Sequence, residues 1–243
     1  MPSSIPSTAE LRAICQPPEV IGRRSAEHWA GRTYMRKVSI HVTRWAIRLG
    51  WSANQVTLFM WLIGLAGVTL VSVPGLGPAI GAAVLIQLYL LLDCSDGEVA
   101  RFRGTSSALG IYLDRLGHYT VEGLLLLMIG VRAGLPVWGA IAGMLALVAK
   151  AETDLITGAR LAAGLPEMQE AQSAVRPSGL AALRSWAKVL PFHRAIGAVE
   201  ASLLVLVAEL AGRQQELVMA LTIVAGLVVI GHLLAVVFSS RLR

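Results

Sequence analysis

The sequence predicts an all-α polytopic membrane protein, with six transmembrane helices preceded by an amphipathic interfacial helix and both termini cytoplasmic. Three observations predict it. Hydrophobic residues make up 55% of the 243-residue chain and charged residues only 15%. With a mean hydropathy of +0.65, that is too apolar for an ordinary water-soluble domain. The apolar residues fall in runs close to the length a helix needs to cross a hydrocarbon core, about 20 residues for roughly 30 Å. The basic residues collect in alternate connections between those runs, which is the asymmetry that orients membrane proteins.

Residues 1–32 mix Pro, Ser, Arg and Glu without the basic, apolar, small-residue order of a secretory signal. They are expected to form a cytoplasmic extension ahead of a membrane domain over 33–243. Over about 35–50, Lys37, His41, Arg44 and Arg48 fall at helical spacing beside a row of Val38, Val42, Trp45 and Leu49. Such a helix lies in the membrane interface with its apolar row among acyl chains, or packs that row on protein; the two look alike in sequence.

The six spans are expected near 54–73, 78–92, 110–131, 136–156, 196–211 and 217–238. The second is short, and its helix is expected to continue through Ala100. The connection at 74–77 is uncharged, the next outer one carries Arg132, and the last balances Arg213 with Glu216; these face outward. Arg23, Arg24, Arg32, Arg36, Lys37, Arg44, Arg48, Arg101, Arg103, Arg160, Arg176, Arg184, Lys188, Arg194, Arg241 and Arg243 face the cytoplasm. The tract 160–194, with Pro166, Pro177 and Pro191, is long for a helix connection and is expected either to cover the site or to hold a short interfacial helix near 180–189. The net charge of +6 is spread over these connections and not gathered in one patch, which argues against nucleic acid as a partner. Cys15 and Cys94 lie far apart and suggest no disulfide framework.

Ionisable groups in spans are costly and mark functional cavities or buried pairs. The topology puts Asp93, Asp96, Asp114 and His118 near the cytoplasmic end, with Lys150, Glu152, Asp154, Glu200 and His232 in the same half and Glu122 deeper. Asp93 and Asp96 are three apart, and Asp114, His118 and Glu122 follow at intervals of four, so each set shares a helix face. Carboxylates so crowded call for a cation, and oxygen ligands of this kind select Mg²⁺, Mn²⁺ or Ca²⁺, commonly together with substrate phosphates.

From Asp93 the chain reads DCSDGEVARFRGTSSALGIYLDRLGHY. This resembles the signature of the CDP-alcohol phosphotransferase (CDP-alcohol phosphatidyltransferase) family, Asp-x2-Asp-Gly-x2-Ala-Arg-x8-Gly-x3-Asp-x3-Asp, at seven of its eight fixed positions. Upstream, SANQVT at 52–57 is similar to the Pro-Asn-x-x-Thr segment opening that family's first membrane helix, with Ala53 in place of proline. The resemblance implies a metal-dependent transfer of a phosphoalcohol group from a CDP-alcohol to an acceptor hydroxyl, with release of CMP, in phospholipid biosynthesis at the cell (inner) membrane, the active site facing the cytoplasm. It implies Mg²⁺ or Mn²⁺ as cofactor on Asp93, Asp96 and Asp114, with Gly97, Ala100, Arg101, Gly110, Asn54 and Thr57 binding the CDP moiety.

The partners are then a CDP-alcohol donor (CDP-diacylglycerol or a soluble CDP-alcohol), a hydroxyl acceptor and membrane lipids, with a homodimer left open. If the acceptor is phosphorylated, Lys150 and Arg194 are the candidates to bind it. Glu98, in DGEVAR, is reminiscent of members using a soluble CDP-alcohol or an inositol phosphate acceptor.

The departure is His118, standing where the family has its fourth aspartate, the ligand assigned as general base. Three readings follow. His118 is the base beside Asp114, with Glu122 one turn on to orient its ring. Alternatively it is a metal ligand, with the base elsewhere and Glu122 a candidate. Finally, the chain is a catalytically impaired nucleotide-binding paralogue. A transporter is the competing class, but it predicts polar groups through the full membrane depth.

Overall fold

A computed structural model describes residues 6–18, 28–165 and 192–238. Among them there are helices and no strand. A short helix, α1 (Thr8–Cys15), comes first, and a π-helical turn (Gly31–Met35) leads into α2 (Arg36–Arg48). Six longer helices follow: α3 (Ala53–Val71), α4 (Leu76–Arg103), α5 (Ala108–Arg132), α6 (Pro136–Ala162), α7 (Ala198–Ala211) and α8 (Gln214–Val237), with a 3₁₀ turn (Phe192–Ile196) before α7. Each corresponds to one expected span, and α4 does run past the short apolar stretch as a single helix. Three of them, α3, α4 and α8, are long and apolar enough to cross a membrane. The helix expected near 180–189 lies outside the described residues.

The ends of these helices follow local chemistry. Ser52 and Gln55 form a capping box at the start of α3: the Ser52 Oγ accepts from the Gln55 amide at 3.3 Å, and the Gln55 Oε1 accepts from the Ser52 amide at 2.8 Å. Gly104, at φ +62°, ends α4 in a left-handed turn, where the Thr105 amide reaches back to the Ala100 carbonyl at 3.0 Å. Ser107 then caps α5, its Oγ accepting from the Gly110 amide at 3.1 Å.

Two compact units are distinguished, residues 1–67 with 82–121, and residues 68–81 with 122–243. In the first, α1 packs on α2 around buried Leu11, Cys15 and Ile40, with Ile47 and Phe102 against them. The inward face of α2 is Ser39, Ile40, Thr43 and Ala46, whereas Val38, Trp45 and Leu49 stay exposed. The helix thus packs on the protein through one face and leaves Val38, Trp45 and Leu49 outward.

In the second unit, α6 packs against α8, and the Thr222 Oγ1 on α8 donates to the Trp138 carbonyl on α6 at 3.1 Å. Helices α5 and α6 touch backbone to backbone: a Cβ built on Gly139 would stand 2.7 Å from the Gly130 Cα and from the Leu127 carbonyl oxygen. Arg132, read from sequence as an outward loop charge, is instead buried. Its guanidinium donates to the carbonyls of Val71, Val73 and Gly75 and, at 2.6 Å, to Glu209. This satisfies carbonyls that the end of α3 leaves open.

Candidate active site

Every motif residue belongs to the first unit. On α4, Tyr89, Asp93 and Asp96 follow at intervals of four and three, so they share a face; Asp114 and His118 lie one turn apart on α5. The two faces meet at His118. Its Nε2 stands 2.8 Å from Asp93 Oδ1 and 3.5 Å from Asp114 Oδ1, and its Nδ1 stands 2.8 Å from the Tyr89 hydroxyl. The Tyr89 ring, nearly fully buried, meets the imidazole edge to face at 5.6 Å.

Donor atoms of Asp93, Asp114 and His118 all lie within 4.8 Å of one another. Two carboxylate oxygens and an imidazole nitrogen so close suit a single divalent ion, with Mn²⁺ as well as Mg²⁺ compatible with the donor set. About a quarter of the side-chain surface of Asp93 and of His118 is exposed, and more of Asp114, so the trio is open to a substrate. Asp96, also expected as a ligand, lines the adjacent cavity together with Asp114, and its Oδ2 accepts from the Thr57 Oγ1 at 2.7 Å. Thr57 in turn also donates to the Ala53 carbonyl. A buried carboxylate keeps hydrogen-bond donors, here the Thr57 hydroxyl and the Gly97 amide.

Beside the trio opens a cavity of about 170 Å³ walled by Asn54, Thr57, Asp96, Gly97, Ala100, Arg101, Gly110 and Asp114, with the connection Thr105, Ser106 and Ser107 completing it. All six positions expected at the CDP moiety line it. The small residues have definite neighbours. A Cβ on Gly97 would come 3.3 Å from the Arg101 Nη1, and one on Gly110 would come 3.3 Å from the Asn54 Oδ1. Glycine at these places leaves room for the arginine and asparagine heads.

Glu98 belongs to a different layer. Fully buried, its Oε1 accepts from Gln16 Nε2 at 2.8 Å, Arg36 Nη1 at 3.0 Å and Ser39 Oγ at 2.6 Å, and its Oε2 accepts from Thr43 Oγ1 at 2.6 Å. Arg36 also donates to the Cys94 carbonyl at 2.9 Å. The carboxylate thus ties α2 and the segment after α1 to α4.

The partner seen at His118 Nδ1 is the Tyr89 hydroxyl. In the second unit Glu122 pairs with Lys150 at 2.8 Å, Glu152 faces His232 at 3.6 Å, and Arg194 sits half-buried in the 3₁₀ turn.

Sequence reasoning missed Tyr89, although the signal was there: it stands one turn before Asp93 on the same helix face. It also missed the hydroxyls at 105–107 as cavity wall.

A carboxylate–imidazole trio thus stands beside a cavity lined by small residues and an arginine. The CDP-alcohol phosphatidyltransferase family model matches residues 50–239, and the chain belongs to that family of transferases. No curated protein matches the chain.

Proposed function

We propose that this protein transfers a phosphoalcohol group from a CDP-alcohol to an acceptor hydroxyl and releases CMP. The observation that carries the reading is the adjacency of the Asp93–Asp114–His118 trio to a cavity walled by every motif position expected to meet CDP. The donor pyrophosphate lies along Gly97, Ala100 and Gly110, where no side chain blocks its approach, with Arg101 donating to phosphate oxygens.

The acceptor oxygen forms a bond to the phosphorus nearer the alcohol as the bond from that phosphorus to the CMP phosphate breaks. Asp93 and Asp114 would hold a Mg²⁺ or Mn²⁺ ion, joined by His118 only where it serves as a ligand instead of the base, and Asp96 faces the same phosphates from the cavity wall. A bound ion supplies neutralisation of the charge that builds on the phosphate oxygens.

His118 suits the base. In the geometry seen, Nε2 carries the proton toward Asp93 Oδ1, since an ionised carboxylate only accepts; with Asp93 and Asp114 turned to an ion, the tautomer that donates from Nδ1 to the Tyr89 hydroxyl frees the Nε2 lone pair to take the proton of the acceptor hydroxyl. The same tautomer is required of a metal ligand, and the clustering of the three donors favours that as the second reading.

Around this site we place a membrane domain of six spans with cytoplasmic termini and a cytoplasm-facing active site. Helix α2 lies in the interface, its exposed Val38, Trp45 and Leu49 among acyl chains. Lys150 and Arg194 are the candidates for a phosphorylated acceptor, and phospholipid biosynthesis is the broad role. A homodimer is compatible with the exposed apolar helix faces.

The test is CMP release by purified protein in nanodiscs, with CDP-diacylglycerol and soluble CDP-alcohols against several acceptors, for wild type, His118→Ala and His118→Asp. Release by wild type, lost in His118→Ala and largely kept in His118→Asp, is the expected result. No release in any pairing, with CMP binding intact, would identify a catalytically impaired paralogue instead.

A further inference from the structure

The segment before residue 50 lies outside the family match, yet part of it reaches the cavity wall. The Arg101 Nε donates at 2.6 Å to the main-chain carbonyl of Cys15, the last residue of α1. That carbonyl is one of those a helix C-terminus leaves open, and it carries the negative end of the helix dipole. The bond fixes one edge of the guanidinium. The rest of the head lies over Gly97, and its Nη2, buried, has no hydrogen-bond partner among the described residues. A half-buried arginine with one edge held and a donor unused, in the wall of a cavity, is set for an anionic ligand.

Helix α1 is itself held firmly. Ser7 and Glu10 form a capping box at its start, and Leu11 and Cys15 are fully buried against Ile40. Arg12 donates to the Lys37 carbonyl at 3.0 Å. Gln16, just past its end, donates to Glu98 at 2.8 Å and to the Arg36 carbonyl at 2.8 Å. Glu98 and Arg101 are three apart on α4, so the two anchors lie on neighbouring turns of the helix that carries Asp93 and Asp96.

We propose that the segment Ser7–Gln16 is a positioning element of the donor site, holding the Arg101 guanidinium where it meets the phosphates of a cytidine nucleotide. The inference rests on the reaction proposed above. The segment touches no reacting atom; it acts through Arg101. Undocking it leaves the metal trio in place and weakens nucleotide binding.

The experiment measures CMP binding by calorimetry, together with the KM for the CDP-alcohol, on full-length protein in detergent. The variants are Leu11→Lys, which breaks the docking, Gln16→Ala, which removes one anchor, Arg101→Ala, and Leu11→Lys combined with Arg101→Ala. Thermal melting of each confirms that it is folded. Loss of one charge-assisted hydrogen bond corresponds to about tenfold, so Leu11→Lys is expected to raise the CMP Kd and donor KM by about tenfold, with kcat and acceptor KM within about twofold. Gln16→Ala moves the same quantities less. In the double variant the Leu11 substitution adds nothing to Arg101→Ala, because both act through one guanidinium.

Wild type that binds CMP, with Leu11→Lys and Gln16→Ala binding it equally well, would overturn this inference alone. So would effects of Leu11→Lys and Arg101→Ala that simply add. If Leu11→Lys fails to fold, Gln16→Ala decides by the same comparison. Wild type that binds no CMP would overturn the proposed reaction and this inference with it.

Discussion

Replacing Glu98 with alanine removes the acceptor shared by four side chains. Gln16, Arg36 and Ser39 converge on one oxygen and Thr43 on the other, at a carboxylate with no exposed surface. Breaking a buried pair by deleting one partner costs about 3–5 kcal/mol, because the surviving charge is left uncompensated. Arg36 keeps a carbonyl partner in Cys94 and is a fifth exposed, which puts the estimate toward the lower end, while three neutral donors lose their acceptor and raise it. We take about 4 kcal/mol. For a protein of this size that lowers the melting midpoint by roughly 10 °C.

Melting followed by intrinsic fluorescence in a fixed detergent, with and without CMP, measures the shift. Glu98→Gln, which keeps the shape but turns a donor toward donors, is expected to fall between wild type and Glu98→Ala. The residual folded protein of either variant is expected to keep the wild-type preference among donors and acceptors. A Glu98→Gln enzyme with an unchanged melting midpoint and an altered substrate preference would refute the reasoning, and would return Glu98 to the specificity role its place in the motif suggested.

Tyr89→Phe removes the hydroxyl at His118 Nδ1 and is expected to lower kcat about tenfold while leaving donor KM nearly unchanged; steady-state CMP release decides it, and an unaltered kcat would mean that the imidazole needs no such support. Gly139→Ala forces a methyl into the Gly130 backbone and is expected to cost about 3 kcal/mol or more, visible as a lower melting midpoint with the KM of folded protein intact. Burial, aided by the nearby Glu98 and opposed by Arg101, raises the Cys15 thiol from an ordinary 9.0 to about 11. At pH 8 it therefore resists alkylation in folded protein and reacts on unfolding, as mass spectrometry of labelled peptides will show. The sign for stability follows: below pH 9 the group contributes nothing, and between 9 and 11 the unfolded chain loses the proton that the folded chain keeps, so stability falls.

The helices were legible because their signals are local. Apolar run length located all six, and the second was expected to run on past its apolar stretch, as α4 does. The face shared by Asp93 and Asp96 and that shared by Asp114 and His118 followed from spacing alone. Partners contributed by distant segments could not be read this way. Nothing near Glu98 in sequence says that Gln16, Ser39 and Thr43 will surround it, since those contacts span 55 to 82 residues. Arg132 looked like a loop charge because the carbonyls it satisfies belong to another connection. Tyr89 is the instructive miss: its spacing from Asp93 was visible, but a tyrosine inside an apolar run reads as core until the ring on the facing helix is known.

The account turns on the trio of Asp93, Asp114 and His118 as the place where a divalent ion makes phosphotransfer possible. The most direct measurement is CMP release by chelator-treated protein as Mg²⁺ or Mn²⁺ is titrated back, in wild type and in Asp93→Asn. The account predicts no release without metal, saturable recovery in wild type, and in Asp93→Asn a half-saturating metal concentration raised at least about tenfold. Full release by wild type without added metal, or an Asp93→Asn titration that overlays wild type, would contradict it.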